Sequence, residues 1–370
     1  MQSAVWRARA TSFKLPALFV NLKAIESNAS ALVRKLNPLG VSVNAVTKGF
    51  TSDERILDVL YAAGIRVFSD SRVVTGKKIK NWAQSRGVDV KACLLRPPSL
   101  GEINEAVSFF DRFYISDISH ALRINEAAQK INRKPELILM IETGDSREGF
   151  LEIELQDAIS YISKNCRSVT IIGFGTNTTC LNRSKPSKSD ILKIVELTQD
   201  HLGVAGLPSP GNSGALYLLK QNELPSFRGE LRIGEAILLG NETVNYELLP
   251  GLTDKTFLIA AEALEIRKKQ YGKIQVVAAL GKADVGCGKL LPVLENLVEA
   301  RRSSDHLVLL IEDNEEQVLS KIKENLNILF FKPTYFSLLQ AWLTPTVYKI
   351  FIEESAGWKE STLAQMAYGG

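Results

Sequence analysis

A chain of 370 residues is too long for one small core and has the length of one large barrel plus a smaller domain. Hydrophobic and charged shares of 45% and 23% are ordinary for a globular protein, and a net charge of +4 is too small at this length to predict nucleic-acid binding. The four cysteines, Cys93, Cys166, Cys180 and Cys287, form no CxxC pair; the opening MQSAVWRARATSF has no apolar core of a secretory signal; and no apolar run approaches the roughly 18 residues of a membrane helix. A cytoplasmic protein with reduced thiols is the expectation.

Short apolar runs alternate with helical patterns along most of the chain, which argues for βαβ units around a parallel sheet. The strand-like runs are VSVNAVTK (41–48), GIRVFSDS (64–71), VKACLLRP (90–97), RFYISD (112–117), ELILMIET (136–143), SVTIIGFG (168–175), VAGLPSPG (204–211) and LRIGEAILLG (231–240). Helical stretches lie between them, as in SDERILDVLYAA, where Ser52 reads as a cap and Ile56, Leu57, Val59 and Leu60 recur at helical spacing. Eight such runs over about 200 residues predict a (β/α)8 TIM-type barrel, with an open doubly wound sheet as the alternative. The rhythm changes after Gly240. TFLIAAEALEIRKK, KIQVVAALG, HLVLLIED, NILFFKP and VYKIFIE read as strands, with TYFSLLQAWL as one short helix among them. The expected division is therefore an N-terminal segment 1–22, a barrel 23–240 and a C-terminal β-rich domain 241–370. The early run LPALFVNL (15–22) precedes the first barrel strand by a full helix and is expected to pair with the C-terminal sheet.

Active sites of such barrels lie at the C-terminal strand ends, and polar residues gather at those ends here. They are Lys48; Asp70, Ser71 and Arg72; Arg96; Thr143 to Gly149; Thr176 and Asn177; Asn212 and Ser213; and Arg232 and Gly234. Lys48, at the end of a buried strand, must lose proton affinity, be bonded covalently, or reach a carboxylate such as Asp70 or Glu142. A Schiff base with an aldehyde cofactor is the covalent solution. Gly211-Asn212-Ser213-Gly214 suits an anion, since backbone amides and a hydroxyl meet there, or a simple turn and cap. Arg232 is a permanent cation in an apolar strand, where it faces a pyridine nitrogen or pairs with Glu235 or Glu142. Arg147 has the fork for a substrate carboxylate, or pairs with Asp145 or Glu148. Of the three histidines, His120 and His201 read as structural helix residues, and His306 follows Ser303-Ser304-Asp305 at a strand start. No spacing of a metal site, a GxSxG elbow or a phosphate-binding GxxxxGK[ST] loop is present.

These stretches resemble the alanine-racemase-like, fold-type III enzymes that use pyridoxal 5'-phosphate, and within them the ornithine racemase branch. AVTKGF around Lys48, SDSR (69–72), LLRPP (94–98), MIETGDSREGF (140–150), GFGTNTTC (173–180), SPGNSGAL (209–216), LRIGEAILLG (231–240), ALGKADV (279–285) and SSDH (303–306) follow the family order over nearly the whole chain. The resemblance implies that Lys48 holds the cofactor and removes the α-proton on one face. It implies that Arg232 faces the pyridine nitrogen and that Asn212, Ser213, Gly234 and neighbouring amides cradle the phosphate. Asn177 stands where alanine racemases place a histidine against the ring. Arg147 matches an arginine at the phenolic oxygen or the substrate carboxylate, and Asp305 an aspartate that the partner subunit brings to that carboxylate.

Two departures argue against alanine as substrate. A phosphate-binding tyrosine shortly after the lysine is replaced by Gly49, Phe50, Thr51 and Ser52, and GYADG of the C-terminal domain reads Gly281-Lys282-Ala283-Asp284-Val285. Lys282 and then His306 are the candidates for the second base, with Cys287 behind them. The expectation is a homodimeric racemase of a larger or basic amino acid such as ornithine, with Asp145, Glu148 and Asp284 available to a side-chain ammonium. A non-catalytic cofactor carrier and a fold-type III decarboxylase or aldolase are the alternatives. No metal, nucleic acid or membrane is expected.

Overall fold

The computed structural model describes residues 14–144, 147–177, 185–268 and 272–352. Two compact units emerge: Ile25–Asp254, and a second made of the chain up to Ala24 together with Lys255 onwards. The first strand, β1 (Ala17–Asn21), belongs to the second unit, although a helix and the entire barrel separate it from its partners in sequence.

In Ile25–Asp254 the chain alternates strand and helix, and its strands all run parallel. They are β2 (Val41–Val46), β3 (Val67–Asp70), β4 (Lys91–Leu94), β5 (Arg112–Ile115), β6 (Glu136–Met140), β7 (Thr170–Gly175) and β8 (Gly229–Ile233), in the order β7-β6-β5-β4-β3-β2-β8. The run 204–211 is not a regular strand, yet its backbone closes the ring between β7 and β8. Leu207 and Ser209 donate to Ile172 O and Phe174 O at 2.8 Å each, while Pro208 O and Gly211 O accept from Glu230 N and Arg232 N at 3.0 Å each. The positions facing β8 that would donate in return are Pro208 and Pro210, which have no N–H. That is why the ladder here shows as isolated bridges.

A second difference lies at 231–240. Its first part is the end of β8, but Glu235–Leu239 turns into a short helix that ends at Gly240 in the left-handed region, φ 76°. An apolar run of this length is compatible with either state, and Glu, Ala and Leu favour the helix.

Period-two alternation sends every second side chain into the barrel. On one side the interior is apolar: Cys93, Ile138 and Met140 pack together with Tyr114. On the other it is polar, with Asn44, Ser69, Arg112, Ser209, Glu230 and Arg232 all buried.

The second unit holds an eight-stranded sheet. To β1 it adds β9 (Phe257–Lys268), β10 (Ile274–Ala278), β11 (Leu290–Pro292), β12 (Leu297–Arg302), β13 (Leu307–Ile311), β14 (Ile328–Pro333) and β15 (Tyr348–Ile352). The order is β11-β14-β9-β10-β13-β12, and β1 pairs antiparallel with β9 and parallel with β15. Ala17 and Phe19 thereby join Leu258, Ala260, Ile328 and Phe330 in one apolar cluster. Besides the expected helix at Tyr335–Leu343, this unit carries a ten-residue helix, Glu315–Glu324, that the strand-rich reading overlooked. Its apolar positions are few, with only Val318 and Ile322 buried. Among the described residues, no helix is long and apolar enough to cross a membrane.

Candidate active site

Lys48 opens a tight turn, Lys48–Phe50, two residues beyond the end of β2. The backbone before it is pinned from below. Thr47 N donates to Ser69 O at 2.8 Å, Thr47 Oγ1 donates to Asp70 Oδ2 at 2.7 Å, and Ser52 Oγ donates to Thr47 Oγ1 at 2.9 Å. Thr51 and Ser52 then sit in the left-handed region, at φ 47° and 55°. Two consecutive non-glycine residues there, one of them β-branched, are a local strain of the kind that collects at functional sites. Burial holds the Asp70 carboxyl above its ordinary range, against the opposing effect of the Thr47 hydroxyl and of the Ser71 and Arg72 amides.

Strand pairing sets the neighbours of Lys48. Ala45 pairs with Ile233 and Val46 with Ser69, so β3 and β8 end on either side of the lysine turn. Gly234 continues β8, and a Cβ there would stand 3.1 Å from Val46 Cβ and 3.2 Å from Val46 O. Glycine is what lets the end of β8 approach the end of β2 so closely. The Gly234 and Ala236 amides both point at Ser213 Oγ, at 3.3 and 3.4 Å. Asn212 bridges to Arg232, and its Oδ1 accepts from Gly214 N at 2.8 Å.

Arg232 is buried and meets only neutral acceptors. Its NH1 donates to Ser209 O at 2.5 Å and Ser209 Oγ at 2.6 Å. Its NH2 donates to Thr176 O at 2.5 Å and Asn177 Oδ1 at 2.9 Å. Its guanidinium carbon lies 5.3 Å from the centroid of the Tyr114 ring. The expected structural alternative, an ion pair with Glu235 or Glu142, is not what holds it. Asn177 therefore reaches the site as a partner of Arg232.

Glu235, at the start of the helix after β8, is a titratable group that sequence reasoning passed over except as a partner for Arg232. Burial pushes its carboxyl up to about 7, against the Asn241 amide and the Lys48 charge, which favour the ionised form, and with Glu242, which adds to the rise. Arg147 is exposed in the loop after β6 and forms an ion pair with Glu148, the bland alternative for that residue. Asp145, Thr178-Thr179-Cys180 and the residues to 184 lie outside the described ones.

The remaining candidates form a second group in the other unit. Ala278 pairs with Leu307, which sets the turn 279–285 beside the loop 303–306. Lys282 N donates to Ser303 O and Ala283 N to Ser304 O, both at 2.9 Å. A Cβ on Gly281 would fall 1.8 Å from Ser304 O, so only glycine permits this docking. Lys282, Asp305 and His306 are exposed and share this one corner. Asp284 is occupied, its Oδ2 accepting from Gly281 N at 2.8 Å, which speaks for a capping role over a free charge.

The site gathered by β2, β7, β8 and the 207–212 segment therefore has an amine, a buried guanidinium without a carboxylate partner among the described residues, and a glycine-lined set of amides and a hydroxyl. That inventory has the chemistry of a barrel enzyme site that takes an anionic group beside an amine. The sequence profile of the alanine racemase N-terminal domain matches residues 20–242, more than half the chain, and the protein belongs to that family.

Among its relatives are the lysine racemase of Thermotoga maritima, 32% identical over 361 residues that cover 91% of this chain and 98% of the relative, and the ornithine racemase of Acetoanaerobium sticklandii, 26% identical over 360 residues, 90% of this chain and 99% of the relative. Among solved structures, alanine racemase from Corynebacterium glutamicum aligns with a TM-score of 0.66 at 15% identity, covering 92% of this chain and all of the other. Alanine racemase from Bartonella henselae with covalently bound pyridoxal phosphate aligns with 0.65 at 18%, covering 91% and 99%. D-threonine aldolase from Filomicrobium marinum has the same fold, with a TM-score of 0.69 at 13% identity over 89% of this chain and 90% of its own. The (β/α)8 barrel with a β-rich second domain is thus shared across all three.

Proposed function

We propose that this protein is a pyridoxal-phosphate-dependent racemase that interconverts the enantiomers of a basic amino acid such as ornithine or lysine. The observation that carries the reading is the meeting of Lys48, Arg232, Ser213 and Gly234 at adjoining strand ends, in a chain that aligns over 91% of its length with a lysine racemase. The residues fit the cofactor: the Gly234 and Ala236 amides gather on Ser213 Oγ at 3.3 and 3.4 Å, a cluster of N–H and O–H groups whose chemistry suits a phosphate. When bound, pyridoxal phosphate supplies an electron sink that acidifies the α-hydrogen of the amino acid.

The roles of the chain's own groups follow from their chemistry. Lys48 holds the cofactor aldehyde and takes or returns the α-proton on one face, its turn kept in place by Thr47 and Asp70. Arg232 would donate to the cofactor's ring nitrogen; because a guanidinium does not give up its proton, it would leave that nitrogen unprotonated and so restrain side reactions. Asn177 fixes the Arg232 plane from one side. Arg147 exchanges Glu148 for the substrate carboxylate or the cofactor's phenolic oxygen. Lys282 or His306 serves the opposite face of Cα, and Asp305 lies near the substrate carboxylate. All three act from the partner subunit of a homodimer, in the reducing cytoplasm that suits the free thiols of Cys93, Cys166 and Cys287.

The test is incubation of the purified protein with L- and D-amino acids in heavy water. Exchange of the α-hydrogen with formation of the opposite enantiomer, fastest for ornithine and lysine, is expected. Neither exchange nor inversion identifies a carrier, and release of CO2 a decarboxylase; either result overturns the proposal.

A further inference from the structure

The barrel interior beneath Arg232 contains a buried charge chain that the roles above do not use. Glu230, two residues before Arg232 on β8, points to the same side of the strand. Its side chain is 2% exposed and that of its ion-pair partner Arg112 is 5% exposed, with Arg112 NH1 2.8 Å from Glu230 Oε2. The other oxygen, Glu230 Oε1, accepts from the Tyr114 hydroxyl in a very short bond, from Asn44 Nδ2 at 3.1 Å and from Ser209 Oγ at 3.1 Å. Burial, with the Glu230 charge beside it, holds the Tyr114 phenol well above its usual range, so it remains a donor.

Ser209 Oγ is thus the only side-chain atom shared by Glu230 and Arg232 among the described residues. Its chemistry leaves one arrangement. An arginine N–H only donates, so the hydroxyl accepts from Arg232 NH1 at 2.6 Å, and its single proton must then go to Glu230. Arg112 also pairs with Glu136 at 2.9 Å, and Glu136 in turn with Lys91, so the run Glu230, Arg112, Glu136 and Lys91 balances its own charges and the relay orients Arg232 without cancelling its charge. An arginine paired directly with a carboxylate would have spent its donors and its field on that partner.

We propose that Ser209 is a positioning residue for the reaction. Locked by Glu230 and Arg112, it holds the Arg232 guanidinium in the plane from which it meets the cofactor's ring nitrogen. This rests on the reading of Arg232 given under the proposed function. Ser209 does not touch the reacting atoms. It acts by removing a tilt that Arg232 would otherwise have, since Ser209 O alone would then hold NH1.

The experiment compares the wild-type holoenzyme with Ser209→Ala and Ser209→Thr. Hydrogen bonds to charged groups contribute about 1.5–3 kcal/mol, so roughly a tenfold loss of kcat or more is expected for Ser209→Ala, with KM changed less than about twofold. Keto-acid by-product per racemisation should rise severalfold, the visible band of the bound cofactor should shift, and a crystal structure of the cofactor-free variant should show Arg232 rotated. Ser209→Thr keeps the hydroxyl and should restore the wild-type partition. If Ser209→Ala does not fold, Ser209→Cys, with its weaker donor of similar size, should give an intermediate partition. Unchanged partition, band and Arg232 orientation in a folded variant overturn the inference. A wild-type protein that takes up no pyridoxal phosphate, or racemises nothing, instead overturns the functional reading beneath it.

Discussion

Gly281→Ala perturbs the corner that carries Lys282, Asp305 and His306. The added Cβ would lie 1.8 Å from Ser304 O, 2.2 Å from Ser304 C and 2.4 Å from Asp305 N, where ordinary contact begins at 3.4 Å. All three are backbone atoms, so no side chain can swing aside, and the 303–306 loop must retreat by well over an ångström. That movement breaks the bonds Lys282 N to Ser303 O and Ala283 N to Ser304 O. Overpacking costs about 1–3 kcal/mol and each lost bond about 1 kcal/mol, so a destabilisation of roughly 3–5 kcal/mol is expected. The functional consequence is larger than the fold's: racemisation should nearly vanish, because Asp305 and His306 lose their register with Lys282. Cofactor uptake at Lys48 should persist. Thermal melting, cofactor titration and chiral chromatography of the product are the assays. A variant with wild-type melting and turnover would refute both the close packing and the role assigned to this corner.

Two further outcomes follow from the site. Glu235→Gln tests the half-buried carboxyl near Lys48. Its titration is raised from 4.5 to about 7, so the stability it contributes is full below its ordinary value and is lost as pH rises through about 7, on the order of 3 kcal/mol in all. The glutamine variant of the cofactor-free protein should therefore melt with wild type near pH 5 and above it near pH 8, and parallel curves across that range would refute the assignment. Lys282→Ala and His306→Ala should separate the bases, since loss of the second base stops α-hydrogen exchange from one enantiomer and largely spares the other. If both variants exchange both enantiomers normally, the opposite-face base lies elsewhere.

The barrel was readable in the sequence because parallel strands buried on both faces appear as short apolar runs between helical ones. The runs at 41–48, 112–117 and 136–143 all contain the observed strands. The irregular crossing at 207–212 was not readable as such, since the effect of Pro208 and Pro210 depends on which neighbour each faces. The helix Glu235–Leu239 hid inside a uniformly apolar stretch, and Glu315–Glu324 within a polar one. Site residue types were visible at the strand ends, but their wiring was not. Asn44 and Glu230 are 186 positions apart, and only ring closure brings them together. A period-two signal did exist, in Glu230 with Arg232 and in Arg112 with Tyr114, where two polar groups share one face of an otherwise apolar strand.

Most directly at stake is whether Lys48 carries the cofactor. Borohydride reduction of the protein incubated with pyridoxal phosphate, followed by proteolysis and mass spectrometry, locates any lysine so bonded. A reduced pyridoxyl adduct on the peptide containing AVTKGF, absent from Lys48→Ala together with its visible absorbance, is the predicted result. An adduct on another lysine, or none while the protein racemises, would contradict the account.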